Sequence, residues 1–135
     1  MNATANTTTD LVFLDANIIM ELFFNRVRRP QVLRAMEQAD GDVRFLVSIL
    51  SVDVLFYHVE AKHLDKASAH AFLGQYGLLD MNEADYLWAQ ANDQGDFEDA
   101  LQVACALRHS CQKFLTLDQR LKKHHHQHIA VTLIR

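Results

Sequence analysis

The sequence predicts an α/β domain on a central, mainly parallel sheet of four to five strands, and three observations carry that reading. Short apolar runs alternate with stretches of helical period along the whole chain. The first run, Leu11–Leu14, is apolar at four consecutive positions, as a strand buried on both faces requires. That run and a later one, ending in Leu117, both stop on an aspartate, the place where open parallel sheets bind their ligands.

Taken in order, the first strand ends on Asp15, and Ile19, Leu22, Phe23 and Val27 then make a helical stripe. Pro30, the sole proline, suits the first turn of a second helix carrying Val32, Leu33 and Met36. Val43–Ser48 reads as the second strand. Ser51 is placed as the cap of a helix with the stripe Val52, Leu55, Phe56 and Val59, which sets Asp53 on its first turn. Within it, Tyr57 is expected to be half-buried and His58 to face solvent. A further helix over 65–76 turns Ala69, Phe72 and Leu73 inward and breaks at Gly77, before a short third strand at 78–81. Asn82 caps the next helix, with Leu87, Trp88 and Ala91 as its apolar face and Gly95 closing it. Asp96 then opens a helix whose Phe97, Ala100, Leu101, Ala104 and Leu107 share one face. Lys113–Asp118 is the fourth strand and Ile129–Ile134 the last.

With 135 residues, half of them apolar and 22% charged, the chain has material for one core without disulfides or a structural metal. A formal charge of −4 gives no electrostatic footprint for nucleic acid across the whole chain, although an acidic cluster would itself contribute several of those charges. No apolar run approaches the ~20 residues that span a bilayer. Residues 1–9 have neither a basic region nor an apolar core, so they read as a disordered lead-in to a single domain at 10–135. Cys105 and Cys111 suit a reducing compartment as plain thiols, and a cytoplasmic location is expected.

Asp15 and Asp118 both end strands, Asp96 and Asp99 share the first turn of a helix, and Asp53 takes a first-turn place after the second strand. In a parallel sheet these positions face one edge. Each residue alone also serves as a helix cap. Together they form a set of carboxylates that repel unless a cation lies between them. Oxygen ligands without Cys or His at ligand spacing select Mg²⁺ or Mn²⁺, and such a site suits phosphodiester hydrolysis.

The stretches Leu14–Ile19, Gly95–Gln102 and Phe114–Asp118 resemble, in order and spacing, the three sequence blocks of PIN-domain proteins, with the bacterial VapC-type toxins the nearest in size. The resemblance covers about 10–135. It implies a three-layer α/β/α domain with Mg²⁺- or Mn²⁺-dependent ribonuclease activity on RNA, homodimers and an antitoxin partner. It places the metal ligands on Asp15, Asp99 and Asp118 with Asp96 beside them, and orienting roles on Asn17 and Thr116. The family's second acid, a Glu, has no match. Direct alignment puts Val54 there, so Asp53, one residue off, is taken as its catalytic substitute, ahead of Glu60 two turns on. An RNA-binding or protein-interaction module that has lost catalysis is the alternative this gap supports. The run His124–His128 is expected to be a solvated loop which, with Arg120, Lys122 and Lys123, could form a basic patch.

Overall fold

The computed structural model describes residues 9–39 and 41–135; the expected lead-in at 1–8 lies outside them. Thr9, which the sequence placed in that lead-in, donates from Oγ1 to Asp42 Oδ2 at 2.7 Å. The elements run β1 (Asp10–Leu14), α1 (Ala16–Phe23), α2 (Arg29–Glu37), β2 (Val43–Ser48), α3 (Ile49–Ala61), α4 (Lys66–Leu73), β3 (Gly77–Leu79), α5 (Glu83–Asn92), α6 (Phe97–Arg108), β4 (Lys113–Thr116), α7 (Gln119–His125) and β5 (Ala130–Leu133). All five strands pair in parallel in the order β3-β2-β1-β4-β5.

The chain thus winds outward from β1 through β2 to β3, then restarts on the other side of β1 with β4 and β5. That reversal opens a crevice between the carboxyl ends of β1 and β4. Side-chain alternation assigns the two faces of β1. Val12 and Leu14 enter a core with Ile18, Val32, Leu55 and Leu73 of α1 to α4, while Phe13 enters a second with Val103, Phe114 and Leu121. Phe13 and Phe114 stack across the β1–β4 pair with ring centroids 4.8 Å apart. The architecture is a three-layer α/β/α sandwich, as the resemblance implied.

Several boundaries differ from the sequence reading, each for a local reason. Ser48, not Ser51, caps α3, its Oγ accepting from the Ser51 amide at 3.2 Å. The helix therefore starts at Ile49, and Asp53 falls in its second turn. Helix α4 ends earlier, at Leu73 with Gly74 as its cap, and Gly77 opens β3, where a Cβ would run into Leu46 and Arg44. Helix α5 buries Asp85 and Ala89 and leaves Leu87 and Ala91 exposed. Asp85 is turned inward by two partners: the Asn82 amide in a capping box, and Arg108 of α6, which donates from Nε and Nη2 at 2.8 and 3.0 Å. Tyr57 is exposed, and His58 is instead half-buried against Phe24.

Cys105 and Cys111 are buried free thiols that burial pushes up to about 12 and about 11. Among the described residues no helix is long and apolar enough to cross a membrane. The stacked phenylalanines join two central strands, so Phe13→Ala should cost ~3–5 kcal/mol in urea unfolding, within the range for removing a buried aromatic ring.

Candidate active site

Asp15 occupies the crevice. It follows β1, its amide donates to Leu115 O of β4 at 3.0 Å, and its backbone carbonyl starts α1 by accepting from Ile18. Its side chain does not cap that helix but turns into the sheet edge, where the residue is only 3% exposed. Gln102 Nε2 donates to Asp15 Oδ1 at 2.9 Å and Thr116 Oγ1 donates to Oδ2 at 2.7 Å. Both donors are buried and each is fixed by further bonds. Ser51 donates to Gln102 Oε1 at 3.1 Å and Ser48 at 3.4 Å. Thr116 Oγ1 accepts from the Asp118 amide at 3.0 Å and from Asn17 Nδ2 at 3.4 Å. Asn17 Oδ1 in turn accepts from the Leu117 amide at 3.3 Å, so Asn17 and Thr116 brace the loop that carries Asp118.

Asp96 and Asp99 arrive from the start of α6. Asp96 caps that helix, accepting from the Asp99 amide at 3.2 Å, and Asp99 itself is buried. Asp118 caps α7, accepting from the Arg120 amide at 2.8 Å. Capping and convergence therefore coexist. Burial, followed by the charges of Asp15, Asp96, Asp118 and Glu98, pushes Asp99 up to about 8. Burial, offset in part by Thr116 and the Ala16 amide and reinforced by Glu98 and Asp118, raises Asp15 to about 6. Glu98 is raised as well, by desolvation and then by Asp96.

Of the residues singled out in the sequence, Asp15, Asp96, Asp99, Asp118, Asn17 and Thr116 come together, and Asp53 does not. Ser51, Leu55 and Val59 form the buried stripe of α3. Two residues beyond Ser51 the helix has turned roughly 200°, which leaves Asp53 exposed. Glu60 instead pairs with Lys66 at 2.8 Å and Val54 packs against the first core; the donor to Asp15 from the α6 side is the neutral Gln102, backed by Ser48 and Ser51. The sequence reading missed those three and Glu98. Gln102 carried a usable signal, since it lies three residues after Asp99 and shares its side of the helix.

The histidine run is partly buried rather than a solvated loop. His124 and His125 belong to α7, and His125 is 1% exposed, with Nδ1 3.2 Å from His128 Nδ1. The Trp88 ring covers both, 5.0 Å from His128. Burial, then His128 and His124, lowers the His125 pKa.

The donor set is hard oxygen, and its mutual repulsion is of the kind a divalent cation relieves. As the side chains stand, no three His, Cys, Asp or Glu among the described residues are gathered closely enough to hold one ion.

The PIN-domain family model matches residues 12–126. The chain belongs to the PIN-domain family. Its fold is similar to that of VapBC2 from Rickettsia felis, solved with a promoter DNA fragment, at a TM-score of 0.74 and 12% identity, covering 93% of this chain and 99% of that one. A toxin–antitoxin complex from Klebsiella pneumoniae aligns at 0.69 and 18% identity over 90% and 95% of the two chains. Mycobacterium tuberculosis VapC20, described as a sarcin–ricin-loop-cleaving toxin, aligns at 0.65 and 13% over 83% and 93%. No curated protein matches the sequence.

Because the folded-state values of Asp15 and Asp99 lie above the ~3.9 of an unfolded Asp, the native PIN domain binds more protons than the unfolded chain between roughly pH 4 and 8. Stability from this source is full below that window and lost as pH rises through it. In EDTA, Asp99→Asn should therefore melt several degrees above wild type at pH 8, and the difference should shrink as pH falls and vanish below about pH 4. Asp53→Asn should melt as wild type at both.

Proposed function

We propose that this PIN domain, spanning residues 10–135, is a divalent-metal-dependent ribonuclease and the toxin half of a toxin–antitoxin pair. The observation that carries the reading is the convergence of Asp15, Asp99, Asp118 and Asp96 at one sheet edge, with Asp15 buried and its carboxylate fixed by two donors. Asp15, Asp99 and Asp118 would hold Mg²⁺ or Mn²⁺, with Asp96 binding directly or through water. Such an ion supplies neutralisation of the phosphate and a water of lowered pKa.

The chain's own residues do the rest. Gln102 and Thr116 keep both oxygens of Asp15 aimed at the crevice, and Asn17 holds the Asp118 loop in register with it. Asp99, whose carboxyl is pushed up by burial and by its acidic neighbours, would have to be ionised to serve as a ligand, so cation binding there would be coupled to proton release. In the reaction a water oxygen bonds to phosphorus, the bond from phosphorus to the leaving ribose oxygen breaks, and that oxygen takes up a proton. The toxin–antitoxin complexes among the structural neighbours support an antitoxin partner. A homodimer and a cytoplasmic setting belong to the same proposal.

A second reading, an RNA-binding or interaction module without catalysis, draws on one specific observation: the exposed Asp53 leaves the position facing Asp15 to neutral residues. The two readings separate in one experiment. On the ribonuclease reading, millimolar Mn²⁺ raises the melting temperature of wild type and supports cleavage of RNA. Asp15→Asn then abolishes both effects while melting near or above wild type in EDTA. RNA binding without turnover in either metal would establish the second reading.

A further inference from the structure

Two adjoining clefts of about 300 and 240 Å³ lie where α2 and the turn before it meet the carboxyl end of β5, sharing Leu133, Ile134 and Arg135 as their common wall. The first is lined by Leu117 and Gln119, which flank Asp118 in the chain, so its wall is continuous with the loop that carries that acid. Arg28 lines it from the turn between α1 and α2, and Arg34 of α2 lines the second. Among the described residues no carboxylate side chain lines either cleft, in a chain whose formal charge is −4.

Arg28 is held in place. Its Nη2 donates to Ile134 O at 2.6 Å and its amide donates to Glu21 Oε2 at 2.9 Å. This leaves further guanidinium N–H donors in a planar fork, the geometry that matches a phosphate. Arg34 and Arg135 are exposed. The wall also contains an unmet acceptor, since Gln31 Oε1 is buried without a hydrogen-bond partner.

We propose that this groove binds the sugar–phosphate backbone of the RNA strand on one side of the scissile bond, with Arg28 beside the Asp118 loop, and Arg34 and Arg135 further out. The inference rests on the ribonuclease reading for its substrate class, but binding can be measured without catalysis. The acids repel phosphate and the arginines attract it, so the strand would be anchored in the groove and presented at the crevice. Each arginine that neutralises a phosphate releases a counterion, which for single strands gives a slope of about −0.7 per contact in log affinity against log salt.

The test is fluorescence anisotropy of a labelled ten-nucleotide single-stranded RNA in EDTA, titrated across salt concentrations. Arg34→Gln and Arg135→Gln should each weaken binding and flatten the slope by about 0.7, and the double variant by about 1.4. Among the described residues neither side chain has a hydrogen bond or ion pair to lose, and both are exposed, so both variants should fold. Lys66→Gln on α4, outside the groove, should leave the slope unchanged. Slopes equal to wild type in both arginine variants overturn the groove. If they are equal while Mn²⁺-dependent cleavage persists, the groove fails and the ribonuclease reading stands. If the slopes flatten as expected but no cleavage occurs in Mn²⁺ or Mg²⁺, the groove stands and the ribonuclease reading fails.

Discussion

A buried carboxylate with no cationic side chain paired to it among the described residues is the constraint around which this molecule is arranged. Asp15 lies between two central strands, and taking an ionised carboxylate out of water costs several kcal/mol unless its oxygens are hydrogen-bonded and its charge is balanced. The fold supplies the first condition completely. Gln102 reaches across from α6 and Thr116 from β4, and each is itself fixed by serines, an asparagine or a backbone amide. Among the described residues no side chain meets the second condition. Burial first, and then acidic neighbours, Glu98 and Asp118 for Asp15 and Asp15, Asp96, Asp118 and Glu98 for Asp99, raise the pKa values of both carboxyls. The edge of the sheet is therefore electrostatically incomplete, and a proton or a cation would complete it.

The hydrogen-bond chain around Asp15 has one direction. The serine hydroxyls point to the oxygen of Gln102, its amide hydrogens point to Asp15, and the Thr116 hydroxyl points there from the other side. The ionised Asp15 fixes the orientation of the Gln102 amide, because a carboxylate only accepts and so takes the NH2 group, which leaves the amide oxygen to the Ser48 and Ser51 hydroxyls. An acid in place of Gln102 would offer Asp15 no donor and would add a charge to a cluster already short of cations.

Much of this was legible in the sequence. A four-residue apolar run reads as a central strand because both of its faces must be buried, and the alternation of strands and helices then requires a parallel sheet. Asp15, Asp96, Asp99 and Asp118 could be placed together because strand ends and first helical turns lie on one edge of such a sheet. The misplacement of Asp53 arose from a choice between two serines three residues apart, both competent caps. The one that wins decides which face of α3 each following residue occupies. Gln102 was passed over because a glutamine within a helix reads as surface, although its place three residues after Asp99 put it on the same side of the helix as that acid. His125 was hidden for a tertiary reason, since the ring that covers it belongs to Trp88, more than thirty residues earlier in the chain.

The two ends of the sheet have a consequence of their own. Strand β3 has three residues and β5 has four, so each rim exposes only a few unpaired backbone groups. A short rim is a poor template for adding a strand from another chain. Any protein that settles on this one, another copy included, must therefore meet helices and loops and be recognised through their side chains.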